Sequence, residues 1–243
     1  MSLNENEDNF NWIGYLLVMG GVIPALIVLF NYLIFSGVIP DGVTMNYIII
    51  SQNIPPPISA MYLSNFAHAN WSHLLENMGS FILIICNTVI IIRFIIPTFN
   101  NVSNPVDIFN PNTLVKSSLL FLTVVPFLIA AEAVVFLYLN PTATGVTGFS
   151  GIGFAFEGYL IYLVEMLIFW KIIHTAIVKG RPFLALIGIV LLIITPLYVL
   201  LSQFHAAPAN VGSVNYGAHL VGFMLGVVIP YLMDRKRICE AFK

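Results

Sequence analysis

Six stretches of this 243-residue chain are each long and apolar enough to cross a lipid bilayer as a helix. This feature limits the possible folds more than any other. The stretches are approximately Trp12–Phe35, Trp71–Ile96, Leu114–Leu139, Ser150–Ile173, Phe183–Leu201 and Tyr216–Met233. A membrane β-barrel would instead need strands of about 10 residues with alternating polarity. The sequence therefore predicts an all-α membrane protein, a six-transmembrane helical bundle.

The composition agrees with a membrane protein and excludes several other classes. Apolar residues make up 59% of the chain and charged residues 8%, against roughly 25% charged in an ordinary soluble domain. High hydrophobicity excludes a disordered chain, and a net charge of -2 argues against nucleic-acid binding. Cys86 and Cys239 are too few for a disulfide scaffold. The acidic segment Met1–Asn9 lacks the basic region of a secretory signal peptide.

Lys and Arg are distributed asymmetrically across the predicted membrane. With six alternating spans, all nine lie on the side of the N-terminus or at its boundary. Neither residue occurs in the three opposite loops, 36–70, 140–149 and 202–215. Because positive charge is retained in the cytoplasm, both termini are predicted to be cytoplasmic.

This orientation divides the chain into one transmembrane domain and two tails. We expect a short cytoplasmic N-terminal tail at 1–11, the membrane domain at 12–234 and a cytoplasmic C-terminal tail at 235–243. Segment 36–70 is too apolar for an ordinary solvated loop. Much of it is therefore expected to lie in the membrane interface or to dip partly into the bilayer.

Polar side chains occur at one membrane depth on three separate spans. Spans two, four and six all begin on the non-cytoplasmic side. His73 and Asn77 lie in the first turns of span two, Ser150 begins span four, and His219 lies about one turn into span six. His73 and Asn77 are four residues apart and share a helix face. Polar groups in lipid are costly, which makes them functional candidates. We expect them to line one polar cavity open to the outer side.

These residue types are suited to nucleophilic catalysis. Ser150 would attack a carbonyl carbon while His219 takes its proton. The resulting oxyanion requires preorganised donors. Three are available: the Ser150 backbone N–H at a helix N-terminus, the Asn77 amide and the His73 imidazole. Gly148 and Gly151 flank the serine and allow a sharp entry and close backbone approach.

Three motifs resemble those of the rhomboid intramembrane serine proteases. The segment Gly148–Gly151, Gly-Phe-Ser-Gly, resembles the family's G-x-S-G nucleophile motif. The segment Ala218–Gly226 resembles its A-H-x-x-G-x-x-x-G motif on the sixth helix. The spacing of His68, His73 and Asn77 is similar to its second-helix pattern. The motifs occur in the family's order, and the resemblance spans all six helices.

The resemblance implies a rhomboid-like fold and an intramembrane serine endopeptidase. Ser150 would be the nucleophile, and His219 the general base and then the general acid. His73, Asn77 and the Ser150 amide would form the oxyanion hole. Small residues at Gly222 and Gly226 would let span six pack closely on span four.

The resemblance also implies the partners of the protein. Substrates would be transmembrane proteins cut near the outer membrane boundary, entering sideways by movement of span five and residues 202–215. The other partner is the lipid bilayer, and no metal or organic cofactor is implied. The short N-terminus favours a prokaryotic plasma membrane, while the oligomeric state is not predicted.

Some positions depart from the family's pattern. Phe149 stands where the family usually has a small residue and is expected to narrow the pocket or alter specificity. Segment 36–70 has no Arg, although many members have a Trp-Arg pair in the first loop. Phe154 stands where Tyr is frequent; it can stack on a histidine but cannot form a hydrogen bond. Glu132 and Glu157 are interpreted as packing residues.

Each candidate also has a purely structural interpretation. A serine at a helix start is often only an N-cap, and His219, His73 and Asn77 can tie helices together through hydrogen bonds. The flanking glycines and the histidine motif favour catalysis for Ser150 and His219. For His68, at the predicted interface, a structural role is favoured.

Three other functions are possible alternatives to a serine protease. A zinc metalloprotease would need H-E-x-x-H, which the segment His73–Asn77 does not provide. A transporter or proton channel would use intramembrane Glu76, Glu132 and Glu157, but the polar residues collect at the outer helix ends and inverted repeats are absent. The main alternative is a catalytically inactive, derlin-type membrane-protein binding factor. Phe149 would favour it by blocking access, whereas the presence of both Ser and His disfavours it.

Overall fold

The computed structural model describes residues 10–51, 55–96, 111–140, 145–205 and 216–241. Most of the predicted N-terminal tail, much of loop 202–215 and the last two residues lie outside this range. Helices dominate: α1 (Trp12–Leu17), α2 (Ile23–Phe35), α3 (Asp41–Val43), α4 (Ile58–Leu63), α5 (Trp71–Ile90), α6 (Pro111–Thr123), α7 (Val125–Leu139), α8 (Ser150–Ile168), α9 (Thr175–Val178), α10 (Pro182–His205) and α11 (Tyr216–Ala241).

Short π-helical and strand segments connect these helices. The π-helical turns are Val18–Val22, Thr44–Ile48, Ile91–Ile95 and Phe169–His174. Strands β1 (Ile50–Ser51) and β2 (Gly145–Val146) pair antiparallel, with Ile50 opposite Val146. This small pair joins segment 36–70 to the backbone that leads into α8.

Five continuous helices have the length and hydropathy of membrane spans: Trp12–Phe35, Trp71–Ile95, Pro111–Leu139, Ser150–Ile168 and Tyr216–Lys236. The protein is therefore an all-α, multi-pass membrane protein. The remaining predicted stretch is helical within α10, but its described apolar part, Pro182–Tyr198, is shorter than the other five. Helix α11 continues to Ala241, through the predicted boundary between 234 and 235. Hydropathy predicts where the bilayer ends, and a helix can continue beyond that point.

The first loop is anchored to a proline break in the third span. Pro126 has no N–H, so the carbonyl of Leu122 loses its usual helical partner. The Tyr62 hydroxyl donates to that carbonyl at 2.9 Å, and Asn65 Nδ2 donates to the Pro126 carbonyl at 3.1 Å. These bonds explain how segment 36–70 is held against α7 without an arginine.

Helices α8 and α11 make backbone contact along a row of small residues. A Cβ added at Gly222 would collide with the carbonyl of Gly151, and one added at Gly226 would collide with the carbonyl of Ala155. Gly158 lies equally close to the backbone of α11. This is the close packing expected from small residues four apart. It sets the separation between the helices that carry Ser150 and His219.

A buried polar cluster joins four helices at the other end of α8 and α11. The Asp234 carboxylate, 2% exposed, accepts from the Thr113 hydroxyl at 2.8 Å and the Tyr162 hydroxyl at 3.1 Å. The hydroxyls of Tyr15 and Ser118 are 2.8 Å apart. Buried polar groups are stable when paired in this way, so the cluster ties α1, α6, α8 and α11 together far from Ser150.

Candidate active site

Ser150 is the first residue of α8, and its hydroxyl is directed at a histidine of α11. The Ser150 Oγ and His219 Nε2 atoms are 2.9 Å apart, although the residues are 69 positions apart in the sequence. With the imidazole proton on Nδ1, the hydroxyl donates to Nε2, which is the geometry that a general base requires. Both side chains are half-buried.

The His219 ring is held between two aromatic side chains. The Phe154 ring lies 4.3 Å from it at an interplanar angle of 30°, and the Tyr216 ring meets it edge-on at 6.2 Å. Phe154 follows Ser150 by one turn and shares its helix face. His219 Nδ1 is buried and has no hydrogen-bond partner among the described residues. The arrangement is thus a serine–histidine pair, with ring packing to orient the imidazole.

Gly148 brings the chain into α8 through a backbone conformation that favours glycine. Its φ is 132°, and its N–H donates to the Ser64 carbonyl at 3.0 Å. A Cβ added there would lie 3.0 Å from His73 Cε1 and 3.8 Å from Ser150 Oγ. Gly148 therefore makes room for the His73 imidazole beside the serine.

Helix α5 supplies two polar side chains of the predicted oxyanion hole. Asn70 caps the helix by accepting from the His73 N–H at 2.9 Å, which fixes the first turn. One turn later, Asn77 Nδ2 is buried without a hydrogen-bond partner among the described residues. A buried donor left unpaired costs about 1–3 kcal/mol. Such a donor is available to stabilise negative charge that forms only during a reaction.

His68 lies behind the site rather than in its wall. It is 4% exposed, so its ring lies inside the fold rather than at the surface. Its Nδ1 bonds the Phe66 carbonyl at 3.2 Å, and its Nε2 accepts a long bond of 3.5 Å from the Phe149 N–H. The preceding loop folds back against the bundle and removes the ring from water. Burial, with a smaller effect from His73, lowers the pKa of His68 to about 4.

Phe149 does not narrow the site, contrary to the expectation from sequence. Its side chain is fully buried, and its ring packs edge-on against Phe81 at 5.0 Å and against Phe66 at 5.9 Å. Consecutive helical residues point about 100° apart. Directing Ser150 toward α11 therefore places Phe149 in the aromatic core.

Asn31 on α2 is a polar residue that the sequence analysis overlooked. It is fully buried and bonds the backbone of Phe66 and His68. A single asparagine within an apolar span is itself a signal of a special role. In the part of the chain that the structure describes, no group of three or more His, Cys, Asp or Glu residues could hold a metal ion.

Comparisons with known proteins leave the motifs and the geometry as the basis for assigning function. No family model matches the sequence, no curated protein matches it significantly, and no solved structure matches the fold significantly.

Proposed function

We propose that this chain is an intramembrane serine endopeptidase of the rhomboid type. It would hydrolyse peptide bonds in or near the transmembrane segments of membrane proteins through a Ser150–His219 dyad. The observation that carries the proposal is the 2.9 Å contact between Ser150 Oγ and His219 Nε2. The positive φ of Gly148 at the entry to α8 adds to it, as does an Asn77 amide nitrogen that is buried and has no partner within the described ranges.

The reaction follows from these positions. His219 removes the hydroxyl proton as Ser150 Oγ bonds to the carbonyl carbon of the substrate. The Ser150 N–H, Asn77 and His73 donate to the oxyanion. When the tetrahedral intermediate collapses, the C–N bond breaks and His219 gives its proton to the leaving amine. Water then attacks the acyl-serine, with His219 again as the base, and releases the new carboxyl terminus.

The proposal places six spans in the membrane, with α10 as the fifth and both termini cytoplasmic. The absence of Lys and Arg from loops 36–70, 140–149 and 202–215 supports this orientation. Under it, Ser150 lies near the outer boundary at the start of the fourth span. A substrate helix would reach the site from within the bilayer.

The inactive, derlin-type alternative depended on Phe149 closing the site. That side chain packs against Phe81 and Phe66, so it gives the alternative no support. An inactive binding factor also has no need for a hydroxyl held on an imidazole.

The test is cleavage by the purified chain in detergent and in liposomes. The substrates are a panel of fusion proteins, each with one transmembrane segment between two soluble domains. Wild type should cut at least one fusion, while Ser150→Ala and His219→Ala should each abolish cutting. The exposed Ser72 begins the second span and is bonded to Glu76, so Ser72→Ala is the matched control and should retain activity.

A fluorophosphonate probe gives a second readout that needs no peptide substrate. It should label Ser150 in wild type and fail to label the His219→Ala variant. Cleavage that survives Ser150→Ala would overturn the proposal. A wild type that cleaves no fusion and is not labelled would favour the binding-factor alternative.

A further inference from the structure

The Asn31 side-chain amide makes three hydrogen bonds, one to its own helix and two to a short turn of the first loop. Nδ2 donates to the carbonyls of Ile27 at 2.9 Å and Phe66 at 2.8 Å, and Oδ1 accepts from the His68 N–H at 2.7 Å. Nδ2 faces two carbonyl oxygens and Oδ1 faces an N–H, so exchanging the amide oxygen and nitrogen would break all three bonds. One buried residue of the first span therefore holds both ends of the turn from Phe66 to His68.

The His68 ring continues this chain of bonds toward the nucleophile. A neutral imidazole has one donor nitrogen and one acceptor nitrogen. The Phe66 carbonyl accepts from Nδ1 and thereby places the proton there, which leaves Nε2 to accept from the Phe149 N–H. The Phe66 and Phe149 rings also touch, with centroids 5.9 Å apart.

Two successive backbone N–H groups before Ser150 are thus held by the first loop. Gly148 donates to the Ser64 carbonyl at 3.0 Å, and Phe149 donates to His68. The next N–H along the chain belongs to Ser150 and is the proposed oxyanion donor. Its direction follows from the Phe149–Ser150 peptide, whose position the two preceding bonds restrict.

We propose that Asn31 and His68 are positioning residues that hold the Phe149–Ser150 peptide in the geometry for oxyanion stabilisation. This inference rests on the proposed protease function. Neither residue touches the substrate. They act through hydrogen bonds, Asn31 on His68 and His68 on Phe149. Catalysis of acyl transfer is sensitive to such placement, because a displacement of about 1 Å can cost roughly 100-fold in rate.

The test compares two substitutions of the same histidine. His68→Gln keeps an uncharged acceptor that can reach the Phe149 N–H, whereas His68→Phe keeps an aromatic ring and loses the acceptor. Asn31→Leu removes the upstream support at similar volume. Tyr15→Phe is the control: it removes a buried hydrogen bond of the same N-terminal span, to Ser118, with no connection to Phe149.

Active sites are titrated with the fluorophosphonate probe, so that kcat refers to folded, reactive molecules only. The kcat of His68→Phe and Asn31→Leu should fall roughly 10-fold to 100-fold with KM nearly unchanged. The rate constant for fluorophosphonate labelling should fall in parallel. His68→Gln should recover most of the loss, and Tyr15→Phe should keep the wild-type kcat even if its unfolding midpoint decreases.

The inference is wrong if His68→Phe retains the wild-type kcat per titrated site, or if His68→Gln is no better than His68→Phe. These results leave the protease proposal intact as long as wild type cleaves and Ser150→Ala does not. If wild type neither cleaves nor is labelled, the protease proposal fails, and the positioning role fails with it. If Asn31→Leu does not fold, the comparison of His68→Phe with His68→Gln still tests the positioning role.

Discussion

The Phe154 ring packs on the His219 ring at a tilt of 30°, with centroids 4.3 Å apart, and lies on the same helix that begins with Ser150. His219 Nδ1 has no hydrogen-bond partner among the described residues, so in the proposed dyad ring packing would take the part that a carboxylate plays in a catalytic triad. It orients the imidazole, but it adds no negative charge beside the imidazolium. The proposed nucleophile and the ring that packs on its proposed base thus occupy adjacent turns of α8.

Replacing Phe154 tests this orienting contact. Phe154→Leu should lower kcat about 10-fold with little change in KM, because the imidazole is less well placed for proton transfer. Phe154→Tyr should stay near wild type because it keeps the ring. Initial rates on a cleaved fusion protein provide the measurement. Equal kcat values for the Leu and Tyr variants would show that the stacking is dispensable.

Asn77 and Asn65 are two asparagines for which the structure predicts opposite effects on rate and stability. Asn77→Ala should lower kcat by roughly 10²–10³, as loss of an oxyanion donor does. It should not lower the unfolding midpoint, since its Nδ2 is unpaired among the described residues. Asn65→Ala removes a side chain bonded to the carbonyls of Met61 and Pro126, and should lower the midpoint. Thermal unfolding in detergent, measured alongside kcat, distinguishes the Asn77→Ala variant from the Asn65→Ala variant. Loss of stability without loss of rate in Asn77→Ala would contradict the role of Asn77 as an oxyanion donor.

Glycine packing between α8 and α11 predicts a strong difference between two glycine substitutions. Gly226→Ala forces a methyl group into the Ala155 carbonyl and should destabilise the fold by about 1–3 kcal/mol or more. Gly79 is helical, and nothing lies within 4 Å of a Cβ added there. Gly79→Ala should therefore be neutral or stabilise by up to about 1 kcal/mol. Unfolding midpoints test both, and a tolerated Gly226→Ala would argue against close helix contact.

The low pKa of His68 predicts a pH dependence of stability. Burial lowers its pKa from an ordinary 6.5 to about 4, so the unfolded chain binds the proton more readily between these values. Stability from the neutral ring is present in full above about pH 6.5 and is lost as the pH falls toward 4. Unfolding midpoints at pH 7.5, 5.5 and 4.5 should decrease more steeply in wild type than in His68→Gln. Parallel decreases would contradict a buried, neutral His68.

Hydrophobic runs and residue spacing allowed much of the architecture to be predicted. Apolar stretches long enough to span a bilayer identify helices because lipid excludes unpaired backbone groups. The four-residue spacing of Gly222 and Gly226 predicted a close helix contact, because small residues four apart lie on one helix face and let another backbone approach. The paired positions of Ser150 and His219 could be anticipated because both begin spans on the same membrane side, which restricts their depth.

Other features required the folded molecule because they depend on contacts between distant segments. Membrane depth says nothing about direction around a helix axis, so the burial of Phe149 in the core was misjudged. Nor does polarity reveal partners: the sequence favoured a structural role for His68 but did not predict that the turn held by Asn31 buries it. The sequence by itself determined the membrane class and the positions of most spans. Only the tertiary structure decided which atoms meet, since a hydrogen bond depends on distances and angles set jointly by several packed helices.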